Sequence, residues 1–271
     1  MKKTFLLLFY FAFAALSVYP QDDDGQSLGS AGKLEGSTYI LTCFISDQDN
    51  EWQYSEKEDV LRKYNEALAF LKIQASRYNI DVDFEKFSFG ISTDIKTRHI
   101  SASGSGDEDT ELISEVLKTI GYEDALSFYD YVMENTDCDN VLVILFSKGM
   151  GTGYAMAYTY EEMDEELSFL EGAILFEKYL DGQELTSASI AHEILHLFDA
   201  EDLYETFMQT KENEAIARRH FPDSIMLRVA HNINELTIDP LTAWLIRWTK
   251  KKEDWYDSFV GSSMPRRREY Q

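Results

Sequence analysis

Two histidines and a glutamate within five residues have the spacing of a reactive site. Residues 192–196 read His-Glu-Ile-Leu-His, so His192 and His196 are four positions apart. On a helix these histidines share one face, one turn apart, and two imidazoles in that arrangement can bind one metal ion. Glu193 directly follows the first histidine and can take a proton from water at that metal. The pattern predicts a zinc site in which Glu193 is the general base.

The competing interpretation is a pair of histidines that only pack in a core. The segment 185–198 is expected to form a helix, because its apolar residues recur at helical spacing. On an otherwise apolar helix, two histidines and a glutamate need a functional reason. The metal site is therefore the favoured interpretation.

Spacing alone does not decide which residue is the third metal ligand. Asp202 lies ten positions after His192, and it can reach the metal only if the chain leaves the helix near Asp199 or Ala200. If the helix continues instead, Asp199 shares the face of the histidines and is the ligand. More distant options are Glu205 and Glu212.

The string from His192 to Asp202 resembles the metzincin clan of zinc endopeptidases, whose motif is H-E-x-x-H-x-x-G-x-x-H or D. The first five positions match, and the last matches members that use Asp as the third ligand. The clan's glycine is Asp199 here, a residue type that tolerates a positive φ at some cost. Met226, in Asp-Ser-Ile-Met at 223–226, lies where the clan has a methionine turn beneath the metal.

The resemblance implies a zinc metallopeptidase that acts on a peptide or protein substrate. Zn²⁺ would be bound by His192, His196 and Asp202, with Glu193 as the catalytic base. Met226 would be structural, forming the floor of the site without binding the metal.

In the clan, the substrate lies extended along an edge strand. The candidate here is the predicted short strand at 153–159, whose substrate-binding residues would be Gly153, Tyr154, Ala155 and Met156.

Two alternatives to this enzyme remain. One is a different zincin hydrolase that uses Asp199 as its ligand. The other is a non-catalytic protein of the same fold that binds a protein partner. The retained Glu193 argues against the second, because a structural zinc needs no base.

The order of apolar patterns predicts an α/β (α+β) fold, a mixed twisted sheet backed by helices. The predicted strands and helices end in the histidine-bearing helix, and a C-terminal helix capped by Asp239 follows the methionine turn. Strands are expected at 38–46, 82–91, 141–146, 153–159 and 172–177, and helices at 55–78, 110–120, 123–135 and 185–198.

The two ends of the chain are expected to lie outside the domain. Lys2 and Lys3 precede an apolar run, which is typical of a secretory signal peptide over residues 1–20. We expect a flexible lead-in at 21–36, the catalytic domain at 37–251 and a tail at 252–271. These features predict a secreted or periplasmic protein, monomeric and without a membrane anchor.

Charge and cysteine content bear on possible partners and on disulfide bonding. The formal net charge of −24 disfavours nucleic acid as a partner, because a phosphate backbone would be repelled. Cys43 and Cys138 are expected to be free, buried thiols, because they would lie several residues out of register on neighbouring parallel strands. Tyr204 and His231 could face the site, although packing or surface roles are favoured for both.

Overall fold

Six strands form one mixed sheet in the described part of the chain. The computed structural model describes residues 29–48, 50–98, 100, 107–157, 170–206, 209–228 and 230–260. The strands are β1 (Gly36–Ser46), β2 (Val82–Phe89), β3 (Ile95–Lys96), β4 (Asn140–Met150), β5 (Tyr154–Met156) and β6 (Gly172–Lys178). They lie in the order β2-β1-β4-β6-β5, with β3 also beside β1. All described pairs are parallel except β5 with β6, so the predicted mixed sheet is confirmed.

Helices cover both faces of this sheet. They are α1 (Tyr54–Arg77), α2 (Asp107–Thr119), α3 (Ala125–Asn135), α4 (Ser187–His196), α5 (Lys211–His220) and α6 (Pro240–Leu245). Two 3₁₀ helices follow α5 and α6, at Ile233–Glu235 and Asp254–Phe259. Among the described residues, no helix is both long enough and apolar enough to cross a membrane.

The central strands are buried on both sides, which explains their nearly continuous apolar sequences. Along β1, Ile40 and Phe44 point towards a core shared with α1, α4 and α6. Leu41 and Cys43, which alternate with them, point towards a second core shared with α2 and α3. The alternation follows from the two-residue period of a strand. Helix α4 contacts α1 and the β5–β6 edge of the sheet, which places its histidines near that edge.

The two cysteines are free and buried, as expected. Strands β1 and β4 are parallel, and Cys43 pairs with Leu145, seven positions beyond Cys138. At about 3.3 Å per residue, that offset is about 23 Å along the strand. A disulfide needs Cα atoms within about 7 Å, so the strand register keeps these thiols apart.

Buried residues occur beyond both of the predicted domain bounds, 37 and 251. In the expected lead-in, Ala31 and Leu34 are buried. In the expected tail, Tyr256 and Phe259 are buried, and Gln209 Nε2 donates to the carbonyl of Phe259 at 2.8 Å. These segments are polar on average, but their few apolar side chains are enough to anchor them to the core.

Most predicted elements occur within a few residues of their expected bounds. The structure also contains elements that were not predicted: β3, α5 and the two 3₁₀ helices. Four predictions lie outside the described residues: the signal peptide, the lead-in before residue 29, the end of the strand at 158–159, and the tail beyond residue 260.

Candidate metal centre

Helix α4 presents two histidines because its other side is committed to the core. Thr186 caps the helix, its hydroxyl accepting from the backbone N–H of Ser189 at 3.1 Å. Ile190, Ile194 and Leu195 are fully buried. This fixes the rotation of the helix, so the remaining face carries His192 and His196.

Three side-chain atoms converge beyond that face. The Nε2 atoms of His192 and His196 lie 3.0 Å apart. Oδ1 of Asp202 lies 3.2 Å from the first and 3.3 Å from the second. Ligand atoms on a tetrahedral zinc, with bonds of about 2.0–2.1 Å, are about 3.3–3.4 Å apart. The three separations are thus close to the edges of a zinc coordination shell, and these residues form a possible metal-binding group.

The protein fixes which nitrogen of each histidine faces the site. Nδ1 of His192 lies 3.0 Å from the carbonyl of Ile225, and Nδ1 of His196 lies 2.7 Å from the carbonyl of Ala200. A carbonyl oxygen can only accept, so both Nδ1 atoms are donors. In the neutral rings, each Nε2 then presents a lone pair towards Asp202, as a metal-ligating histidine does.

The fit to a cation shows in Asp202. Its Oδ1 is buried, and no hydrogen bond of ordinary geometry reaches it from the described residues. Leaving a buried carboxylate oxygen without a partner costs about 1–3 kcal/mol or more. A metal ion shared with the two imidazoles would satisfy that oxygen, so the donor set fits zinc.

The local electrostatics also favour positive charge. Burial would lower the pKa of His196, but contact with Asp202 and the charge of Glu193 outweigh it and raise this pKa to about 9. Burial would raise the pKa of Asp202, yet its contacts with both histidines hold it well below its usual range. The site therefore stabilises a cation, whether a proton or a metal ion.

A tight turn after α4 brings Asp202 back to the histidines. Helix α4 ends at His196, and Asp199 has a φ of 71°. The N–H of Ala200 donates to the carbonyl of Leu195 at 3.1 Å, so the turn is a Schellman closure with Asp199 in the left-handed position. The carboxylate of Asp199 pairs with Arg247 at 3.1 Å. Asp202, and not Asp199, therefore lies beside the histidine pair.

The segment around Met226 supports the site from below. Met226 is fully buried, and its carbonyl accepts from the N–H of Leu203 at 2.8 Å, just past Asp202. Its own N–H donates to the hydroxyl of Ser224 at 3.1 Å, and that hydroxyl donates to Asp239 at 2.6 Å. Asp239 also caps α6. The segment 224–226 is thus tied both to the loop that carries Asp202 and to the C-terminal helix α6.

Glu193 lies between the metal ligands and the edge strand. It is half-buried, and its charge helps to raise the pKa of His196. A Cβ built on Gly153 would lie 3.6 Å from Oε1 of Glu193, so this carboxylate faces the residue just before β5. Tyr154, Ala155 and Met156 form β5, which pairs with β6 on one side and ends the sheet in the described structure.

The other candidates divide between the site and the surface. Tyr204 stacks on His192, with ring centroids 6.3 Å apart, and burial and the Asp202 charge raise its pKa. His231 is exposed and lines a surface pocket with residues of α1.

Three contacts at the site could not be foreseen from residue types. The carbonyls of Ile225 and Ala200 orient the histidines, and backbone atoms carry no sequence signal. Arg247, which pairs with Asp199, lies 48 positions away along the chain with nothing local to connect them.

The fold and the site together define a mixed α/β protein with a possible His-His-Asp metal centre. No protein-family model matches the chain, and a search of curated proteins found no significant match. Among solved structures, the chain is similar to the crystal structure of metalloproteinase-II from Bacteroides fragilis, with 13% identity and a TM-score of 0.38. The match covers 85% of this chain and 59% of that one, so this chain spans less than two thirds of its length. The function is therefore argued from the residues of the site.

Proposed function

We propose that this chain is a zinc-dependent metalloendopeptidase of metzincin type. One observation carries the proposal: Nε2 of His192, Nε2 of His196 and Oδ1 of Asp202 meet within 3.3 Å of one another. Glu193 stands beside this group and faces the edge strand. A closed structural zinc would need a fourth protein ligand and no base, whereas three ligands leave a position open for reaction.

Zinc bound there would supply Lewis acidity, polarising the scissile carbonyl and making water acidic near neutral pH. Glu193 takes the proton from the attacking water and delivers it to the leaving amine. With a metal ion on their Nε2 atoms, His192 and His196 would each keep only the Nδ1–H, which donates to a backbone carbonyl. Their orientation is set before substrate arrives, so no reorganisation is needed during the reaction.

An extended peptide fits the outer edge of β5. This strand pairs with β6 through Tyr154, Ala155 and Met156. A strand at the end of a sheet can pair with a peptide backbone on its other side. Gly153 leaves space in front of Glu193, so the scissile bond would lie near that end of the strand.

We propose that the protein acts outside the cytoplasm. The support is the sequence of residues 1–20, with two lysines followed by an apolar run. N-terminal sequencing of the protein recovered from the culture medium or periplasm tests this, and a chain that stays cytoplasmic with Met1 retained contradicts it.

Replacing Glu193 with Gln tests the catalytic assignment. Glu193→Gln should keep the metal and the fold but lose about 10²–10⁴-fold in peptide hydrolysis, because a positioned general base contributes about that much. The assay uses a mixed peptide library and an unfolded protein substrate, with zinc content measured on the same samples. Glu184→Gln is the matched control, since Glu184 is exposed on the loop before α4.

Two results would count against the enzyme. One is equal hydrolysis by the wild type and Glu193→Gln. The other is a zinc-loaded wild type that cleaves nothing in the library but binds a defined protein partner with or without Glu193. The second result would favour a binding protein that retains the motif.

A further inference from the structure

Helices α4 and α6 end in the same unusual way, and the residues that follow them lie together. After α4, Asp199 has a φ of 71°, and after α6, Arg247 has a φ of 64°. Both ends are Schellman closures, because Trp248 N–H donates to the carbonyl of Ala243 at 2.8 Å just as Ala200 N–H donates to Leu195. Glycine usually takes this position, and other residues adopt it under strain.

The two strained residues bind each other. A guanidinium nitrogen of Arg247 lies 3.1 Å from the carboxylate of Asp199. The pair is largely shielded, with side chains 12% and 19% exposed, so solvent screens it less than a surface pair. Each side chain thus stabilises the turn in which the other lies.

The Asp199 turn sets two features of the metal centre. Ala200, the next residue, supplies the carbonyl that accepts from Nδ1 of His196 at 2.7 Å. The same turn directs the chain back so that Asp202 lies 3.3 Å from Nε2 of His196. A change of φ at Asp199 would therefore move both the Ala200 carbonyl that holds His196 and the main chain of Asp202.

Arg247 also joins this turn to the segment ahead of β1. The nitrogen that pairs with Asp199 also donates to the carbonyl of Gly32. Next along the chain, the indole N–H of Trp248 donates to the carbonyl of Leu34 at 2.6 Å. The segment at 32–34 thus packs against the residues that hold the Asp199 turn.

We infer that Arg247 is a positioning residue for the metal centre, acting through Asp199. A glycine at position 199 would adopt the left-handed φ freely. Asp199 does not, and its ion pair with Arg247 holds the turn in that conformation. The inference rests on the proposed metal site but not on peptidase activity.

The test is zinc affinity, measured with zinc alone by competition with a chromophoric chelator, together with the absorption spectrum of the Co²⁺-substituted protein. Arg247→Met should weaken zinc binding about 10–100-fold, the usual effect of losing a group that orients a ligand. The Co²⁺ spectrum should change, because it reports coordination geometry.

A second substitution separates positioning from general packing. Asp199→Gly adopts the turn freely and leaves no carboxylate without its partner. Added to Arg247→Met, it should restore zinc affinity and the Co²⁺ spectrum to nearly wild-type values. If Arg247 acted only by packing the segment at 32–34, Asp199→Gly would restore nothing.

Arg218→Met is the control, because Arg218 forms an exposed ion pair with Glu214 on α5. It should leave zinc affinity unchanged. If Arg247→Met does not fold, Arg247→Lys carries the same comparison, with weaker zinc binding that Asp199→Gly restores. Unchanged affinity in the Arg247 variant, or no rescue, overturns the inference.

The outcomes also separate this inference from the proposed function. A wild type that binds zinc without cleaving peptides contradicts the peptidase and leaves the role of Arg247 intact. If Arg247→Met has the zinc affinity of the wild type, the role of Arg247 is contradicted and the peptidase is not. A wild type that binds no zinc overturns both.

Discussion

His192 and His196 each use one ring nitrogen to bind the protein and direct the other towards Asp202. The carbonyls of Ile225 and Ala200 hold the two rings from different parts of the chain. The ligand atoms are therefore placed by contacts outside α4 as well as by the four-residue spacing within it. Because the rings are already oriented, metal binding loses less side-chain entropy.

Asp202 and Asp199 offer a direct test of the third ligand. Asp202→Ala should weaken zinc binding far more than Asp199→Ala, because only Asp202 lies beside both Nε2 atoms. Asp199→Ala removes the contact with Arg247, so it should weaken zinc binding about as much as Arg247→Met does, but all three ligand side chains are still present. Zinc dissociation constants of the two variants decide the question, and greater weakening by Asp199→Ala would reverse the assignment.

At the scale of elements, the turn at 224–226 is joined to α6 by the hydroxyl of Ser224. Ser224 is fully buried, accepts from the N–H of Met226 and donates to Asp239. The carbonyl of Ile225, between them, anchors His192. The turn that supports the metal centre is therefore coupled to the start of the C-terminal helix.

Ser224→Ala should destabilise the protein by about 1–3 kcal/mol, because it leaves the buried N–H of Met226 without its acceptor. The free energy of unfolding in urea measures this. Ser76→Ala is the control, since the hydroxyl of Ser76 is exposed at the end of α1. Equal stabilities of the two variants would show that the hydroxyl does not hold the turn.

The start of α1 is tied to the β2–β3 connection by a buried ion pair. Lys57 Nζ lies 2.6 Å from Asp94, and the two side chains are 3% and 7% exposed. Burial would raise the pKa of Asp94, but hydrogen bonds from Lys57, Trp52 and Ser46 lower it below the usual value. A lowered carboxyl pKa stabilises the fold above the unfolded-state pKa of about 3.9, and this stabilisation is lost as the pH falls through the folded-state pKa.

Asp94→Asn should therefore cost about 3–5 kcal/mol near neutral pH, because it leaves Lys57 buried without its counter-ion. The difference from the wild type should begin to shrink below about pH 4 and continue to shrink towards the lower folded-state pKa of Asp94, where the wild-type carboxyl also becomes neutral. Unfolding free energies across this pH range test the prediction. Asp83→Asn, which breaks an exposed pair with Lys72, should change little at any pH, and an Asp94 effect independent of pH would contradict the argument.

At the scale of the whole molecule, the centre of the sheet could be predicted because β1 and β4 are buried on both faces. The apolar run at 141–146 lies in the first half of β4, and the run at 38–46 lies within β1. The partners of each strand follow from chain crossovers, which short-range patterns do not encode. Helix α5 was not predicted because only Asn213 and Ala217 of its residues are buried, so it has no apolar stripe.

The sequence predicted those parts of the candidate site whose residues lie close together along the chain. The pair of histidines and Glu193 follow from helical spacing. The choice between Asp199 and Asp202 depends on the φ of one residue, and an aspartate can adopt either helical or left-handed φ. The ion pair with Arg247 joins residues from two distant helix ends, so the sequence around Asp199 could not reveal it.

The central claim is that His192, His196 and Asp202 bind one zinc ion per chain. The most direct measurement is elemental analysis of the purified protein after zinc loading and removal of excess metal, beside the His192→Ala, His196→Ala double variant. The wild type should hold one zinc per chain and the double variant none, because the two imidazoles supply most of the donor set. A wild type without zinc, or a double variant that still holds one zinc per chain, would contradict the account.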